Sequence, residues 1–215
     1  MGFSAGIESM KIMFSNLLRQ RFFLLLIVAG FAIWILISTS KNVAAEDPVP
    51  VVVVGVQHLG GEYLIERFYI DKRIGDSVGE YGGGGSERCC VTLPKKWNPN
   101  LEAEVRWEVR KIIRSSNPSV PDSANVIAIY KANVPIEKYK KPASFWVHFF
   151  SDGKVRIVVT PISFEVDGHP IIWGDIKSSD LASKGKILND FFSTEEISEF
   201  VRQADIDKRE YGDLR

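Results

Sequence analysis

Along residues 101–110, apolar Leu101, Ala103, Val105, Trp107 and Val109 alternate with Glu102, Glu104, Arg106, Glu108 and Arg110. That period of two predicts a strand with one face in a core and the other in water. The β-branched run at 49–59 (VPVVVVGVQHL) predicts a strand buried on both faces. A second strand is expected at 62–71 (EYLIERFYID), and Gly60 and Gly61 between the two predict a first hairpin. Residues 144–150 (SFWVHFF) and 154–160 (KVRIVVT) flank Ser151-Asp152-Gly153, a strong hairpin signal, and Asp167-Gly168 is a similar turn between 162–166 and 170–173. Pro118, Pro121 and Pro135 predict that 114–142 is loop, with at most one short strand at 126–130.

Near the C-terminus, Ser193-Thr194-Glu195-Glu196 has the spacing of a capping box, and Ile197, Phe200, Val201 and Ala204 then recur at helical intervals. A helix of three to four turns is expected there, its apolar stripe packed on the sheet. The fold class is therefore α+β or mainly β: an antiparallel sheet domain with a C-terminal amphipathic helix, preceded by one N-terminal transmembrane helix.

That last element rests on residues 22–39 (FFLLLIVAGFAIWILIST), which carry no charge and no proline and are long enough to cross a bilayer core. Lys11, Arg19 and Arg21 precede the run, whereas Lys41 is followed closely by Glu46 and Asp47, so the N-terminus is expected in the cytoplasm. The organisation this predicts is a basic cytoplasmic N-terminus (1–21), a signal-anchor (22–39), a linker (40–48) and a periplasmic globular domain (49–215). Val43-Ala44-Ala45 offers the small residues that a signal peptidase accepts, so cleavage after Ala45 is the alternative fate.

Charge narrows the partners. The 27 basic and 27 acidic residues balance, and setting aside the first forty leaves a domain two charges negative, with no electrostatic reason to bind nucleic acid. The segment YGGGGSERCCVTLPKKW (81–97) is the most unusual stretch. Gly82, Gly83, Gly84 and Gly85 are followed by neither the Lys-Ser/Thr pair nor the helix start that a phosphate loop needs. Such a run persists where mobility is tolerated or where another surface approaches the backbone closely.

Cys89 and Cys90 are adjacent, and Cα atoms about 3.8 Å apart are too close for an ordinary disulfide. Strand alternation sets Cys89 with Val91 and Leu93 on one face and Cys90 with Thr92 on the other, two small structural residues. A strained vicinal ring and an intermolecular or redox role are the alternatives. His58, His148 and His169 lack a local catalytic signature, and three scattered histidines match no zinc spacing; His148 reads as a half-buried strand residue. No metal or cofactor is expected, and no catalytic residue is assigned. Trp107, Trp146 and Trp173 read as core, whereas Trp97 sits in a loop between Lys95-Lys96 and Asn98-Pro99, where an exposed aromatic would anchor a contact.

YGGGGSERCCVTLPKKW, VRWEV and FWVHFFSDGKVRIVV together resemble the bacterial family known as domain of unknown function 3304, whose members share a GGGG…CCV.LP..W…VRW pattern and a later VHF..DG.VR hairpin. The likeness spans roughly residues 50–175. It departs at Asn98-Pro99-Asn100, where a basic residue and a glycine are expected around the proline, and in lacking a lipid-attachment cysteine near the apolar run. Members are typically exported or lipid-anchored, and some look like immunity proteins carried beside type VI secretion phospholipase effectors. The resemblance implies a non-enzymatic periplasmic binding protein held at the inner membrane through 22–39, with a lipase-type effector as partner. Gly82, Gly83, Gly84, Gly85, Arg88, Lys95, Lys96 and Trp97 are the expected contact surface; Cys89, Cys90, Trp107 and His148 are the expected structural residues. A structural envelope protein and a cysteine-dependent envelope enzyme are the competing readings.

Overall fold

The computed structural model describes residues 47–80 and 88–212, at 88–90 the backbone alone. The expected membrane segment at 22–39 lies outside the described residues. Among the described residues, no helix is long and apolar enough to cross a membrane.

The fold is mainly β, as the patterning predicts. Ten strands follow in order: β1 (Val49–Gln57), β2 (Tyr63–Ile70), β3 (Arg73–Ile74), β4 (Arg88–Leu93), β5 (Glu102–Ile113), β6 (Ser123–Pro135), β7 (Phe145–Phe150), β8 (Lys154–Val159), β9 (Ser183–Lys184) and β10 (Lys186–Leu188). Among the described residues, one α-helix, α1 (Thr194–Tyr211), follows them. The first sheet runs β4-β1-β7-β8-β9 and the second β10-β6-β5-β2-β3. The second is antiparallel throughout, whereas the first contains one parallel pair, β1 with β7.

The two sheets enclose one core. Val53 of β1, Phe68 of β2, Trp107 of β5, Phe149 of β7 and Ile157 of β8 are among its buried side chains. Phe149 meets Phe68 edge-on at 5.3 Å between ring centroids and Trp107 at 5.8 Å. Alternate residues of the first sheet, Val56, Trp146, Phe150 and Val158, turn to its other side and form a second buried cluster with Ile171. The first sheet is thus covered on both faces, which is why β1 reads as an unbroken valine run rather than an alternating one.

Four expectations are corrected. The strands at 49–57 and 63–70 do not form a hairpin; they lie in opposite sheets. Residues 123–135 are not loop but a thirteen-residue strand, paired with β5 from Glu102↔Pro135 to Ile113↔Ser123. Pro135 sits at its end, where a missing amide is tolerated. Asp167-Gly168 does form a turn, with Gly168 at φ +98°, but the segments beside it are not strands. Lastly, α1 begins on the expected capping box, yet it runs eighteen residues and buries none of them.

The β7–β8 hairpin follows local chemistry closely. Asp152 and Gly153 both have positive φ (60° and 64°), as a tight primed turn demands. Gly153 is also required sterically, because a Cβ there would come within 2.2 Å of the Tyr130 ring. Between β9 and β10 the chain crosses from one sheet to the other at Gly185, whose amide donates to the Gly153 carbonyl at 2.7 Å. A Cβ on Gly185 would strike Trp107 at 2.6 Å.

Candidate functional site: a histidine-backed loop and the flanking contact surfaces

Trp146, His148 and Phe150 alternate with core residues along β7 and so face away from the main core. The connection from β8 to β9, residues 160–182, folds back over this face. Ile171 is fully buried beneath it, and Trp146 Nε1 donates to the Thr160 carbonyl at 2.9 Å. All three histidines of the chain meet under this loop. His58 Nε2 lies 2.9 Å from His148 Nδ1, and the His148 and His169 rings are 5.1 Å apart. His58 also stacks on Phe150 at 4.6 Å, and His169 packs edge-on to Trp146 at 5.3 Å.

The hydrogen bonds select the tautomers. The Gly174 amide donates to His58 Nδ1 (3.3 Å), so a neutral His58 carries its proton on Nε2 and donates it to His148 Nδ1. His148 must then be protonated at Nε2. His169 Nδ1 lies 2.7 Å from the Ile171 carbonyl and 3.1 Å from the Ile171 amide, which donates to it. His148 Nε2 and His169 Nε2 are both buried without a hydrogen-bond partner among the described residues. Burial depresses all three pKa values: that of His58 falls to about 4, with Asp175 opposing the shift and His169 adding to it. His148 is pushed well below the ordinary range by burial and then by His58, His169 and Arg156. His169 is lowered by burial, with its bond to Ile171 opposing.

These histidines are therefore not scattered, and His148 is not the half-buried strand residue that the sequence suggested. His148 is fully enclosed, and the convergence is tertiary. No group of three or more ligating side chains suited to a metal occurs among the described residues. The outer side of the same loop is apolar and wet: Ile172 (54% exposed), Trp173 (50%), Ile176 (72%) and Leu181 (79%) all face solvent. Trp173 is thus not a core residue, and it is the exposed tryptophan that the sequence placed at position 97.

Trp97 is half-buried instead. It packs against the main core and donates from Nε1 to the Ile136 carbonyl at 2.8 Å. Lys95 and Lys96 beside it are exposed. Gly82, Gly83, Gly84 and Gly85 lie outside the described residues, and Arg88 is placed by its backbone at the start of β4, an edge strand of the first sheet. Trp107 is fully buried.

The cysteine pair occupies an irregularity. Val51 pairs with Val91 and Val53 with Arg88, so Val52 alone stands opposite both Cys89 and Cys90. This is a β-bulge, and the period-2 count that split the pair between faces does not run through it. Val52 lies four residues along β1 from Val56, the neighbour of His148, or about 13 Å at strand rise. That separation exceeds the reach of a nucleophile–base hydrogen bond.

On the far side of the sandwich, the face of β5 expected to be wet is closed by charge pairing. Arg106 is 2% exposed. Its Nη1 and Nη2 donate to both oxygens of Glu196 at 2.8 and 2.7 Å, its Nε donates to Glu104 at 2.6 Å, and Nη1 also reaches the Phe191 carbonyl. Its guanidinium lies over the Phe192 ring. Glu108, equally buried, accepts from Arg67 at 3.1 Å and Arg110 at 2.5 Å. The bidentate bond from Arg106 holds the Glu196 carboxyl far below the usual carboxylate range, although burial opposes it.

Residues 61–157 match the family described as Protein of unknown function (DUF3304), which supports the family resemblance carried by the Gly-run, double-Cys and Asp-Gly hairpin motifs. No curated protein and no solved structure matches the chain.

Proposed function

We propose that this domain is a non-enzymatic periplasmic binding protein, held at the inner membrane through 22–39, that neutralises a type VI secretion phospholipase effector by direct binding. The observation that carries the binding role is the 160–182 loop. It presents Trp173 with Ile172 and Ile176 to solvent, while its inner side is fastened by His169, Ile171 and the carbonyl bonded to Trp146. Exposed apolar side chains around a tryptophan on a fixed support are what a contact hot spot requires. The immunity role and the lipase partner come from the family resemblance. Tethering an inhibitor to the membrane that its toxin attacks raises their effective concentration without any new contact.

The test is survival of cells producing a type VI lipase effector encoded beside this protein in their periplasm, with and without this protein, alongside lipase assays on purified components. Protection and a stoichiometric complex are the expected result. Equal killing in both strains, with no complex, would favour a structural envelope protein instead.

A further inference from the structure

We infer that the 160–182 loop is a proton-released latch: neutral His58, His148 and His169 hold it on the first sheet, and their protonation in mild acid lets it lift and takes the Trp173 surface off its support. Two side chains of that sheet tie the middle of the loop down. The Gly174 amide donates to His58 Nδ1 at 3.3 Å, and Arg156 Nη1 of β8 donates to the Ser178 carbonyl at 2.9 Å. Beside these ties, Ile171 is fully buried in the cluster of Val56, Trp146, Phe150 and Val158. The first tie needs an unprotonated Nδ1, because a second proton on His58 would set two donors face to face. The His58–His148 bond fails in the same way when His148 Nδ1 takes a proton. One proton thus cuts a tie and places a charge under the apolar underside of the loop.

The groups facing the cluster do not neutralise that charge. From β8, Arg156 stands directly opposite His148 in register and opposes its protonation, while donating to Glu137 and the Ser178 carbonyl. From the loop, Asp175 favours a charged His58, but its carboxylate accepts from the Lys177 amide at 3.1 Å and from Ser178 Oγ at 2.6 Å. His58 and His169 oppose a charge on His148, and His169 opposes one on His58. The Ile171 carbonyl favours a charged His169, against its burial. Among the described residues, no carboxylate hydrogen-bonds to any of the three rings. With the loop lifted, the rings return to water and charge at about 6.5. The closed state therefore binds fewer protons than the lifted one, and falling pH favours lifting from about 6.5 down to the closed-state values. For His58, about 4 when closed, this linkage shifts the equilibrium up to about thirtyfold between pH 7.5 and 5. The second sheet supplies none of the three rings, so the loop can lift while that sheet stays paired. The consequence for binding rests on the role proposed for Trp173; the latch itself does not.

Hydrogen exchange of the full chain in detergent micelles, without any partner, tests the latch at pH 7.5 and 5, each rate being divided by the intrinsic exchange rate at that pH. Peptides spanning 169–178 are expected to show a larger opening constant than β5 at both pH values, rising at least tenfold on acidification while β5 stays protected. His58→Asn keeps an acceptor for the Gly174 amide but takes up no proton, and should cut that rise at least threefold. A rise of less than tenfold in the unmodified chain, one opening constant shared by the loop and β5, or an undiminished rise in a folded His58→Asn chain would each overturn the inference. If that variant does not fold, the pH profile of the unmodified chain decides alone. The lipase reading is judged separately by its survival assay: a loop that lifts in acid, with no lipase bound at either pH, leaves the latch standing and removes that reading.

Discussion

His58 and His148, ninety positions apart, meet at 2.9 Å between Nε2 and Nδ1, with His148 wholly enclosed. The bond holds only while His148 is neutral, because a second proton on His148 Nδ1 would set two donors against each other, and a second proton on His58 would displace the Gly174 amide from Nδ1. The three histidine pKa values are all depressed by burial, so the unfolded chain binds more protons than the folded one at mildly acidic pH. Stability is then complete above the unfolded value of about 6.5 and is lost as pH falls towards the folded values, about 4 for His58.

Urea unfolding of residues 47–215 is therefore expected to show a lower midpoint at pH 5 than at pH 7.5. His58, lowered to about 4, contributes at most about 2 kcal/mol over that interval and less because solvent screens it, and His148 and His169 act in the same direction. The carboxylates with lowered pKa values, Glu104 and Glu196 among them, lose their contribution only below about 4.5, so they do not confuse this window. His148→Leu should flatten the dependence. An unchanged midpoint from pH 7.5 to 5 in the unmodified domain would contradict the neutral cluster.

Removing half of the Arg106–Glu196 pair tests what fastens α1. Glu196→Gln keeps the shape but leaves a buried guanidinium with Glu104 as its remaining close carboxylate. A loss of about 2–4 kcal/mol in unfolding free energy is expected, since breaking a buried pair strands a charge. Amide hydrogen exchange across 194–211 should accelerate more than exchange in β7, because the helix has little else to hold it.

Trp97 gives a third expectation, and it reverses the role that the sequence suggested. Trp97→Phe should cost about 1 kcal/mol through the lost bond to the Ile136 carbonyl, and Trp97→Ala about 2–3 kcal/mol by also opening the core edge. Both variants should bind partners normally once folded. A Trp97→Ala protein of unchanged stability but abolished binding would restore Trp97 as a contact anchor.

What was legible in the chain was local. Asp152-Gly153 and the Ser193/Glu196 capping box specify their own geometry through backbone dihedrals and nearby hydrogen bonds, and both formed as read. β6 was not legible, because Pro118 and Pro121 precede it and Pro135 ends it, while the pairing that makes it a strand comes from β5. Arg106 and Glu108 alternate as solvated residues do; they are buried because Glu196 and Arg67 arrive from distant segments to match their charge. The histidine cluster had no linear signal, since positions 58, 148 and 169 are joined only by sheet register and a covering loop. Trp173 was misplaced for a related reason: Ile171, two residues away, is the side chain that the loop buries.

The last prediction concerns that tryptophan. Trp173 is half exposed, and its removal leaves the buried members of the loop, Ile171 and His169, in place. Trp173→Ala should therefore change unfolding free energy by less than about 0.5 kcal/mol, as surface substitutions do. Binding to the proposed lipase partner should weaken roughly thirtyfold, about 2 kcal/mol, because an interface concentrates its energy in a few aromatic anchors. Ile176→Asp, three residues on and 72% exposed, should add to that loss by setting a charge in the apolar contact. Calorimetric titration of the purified pair measures both. Undiminished affinity in the double variant, with a complex still formed by the unmodified chain, would move the binding surface away from the loop and towards the β4 edge that carries Arg88 and leads to Lys95 and Lys96.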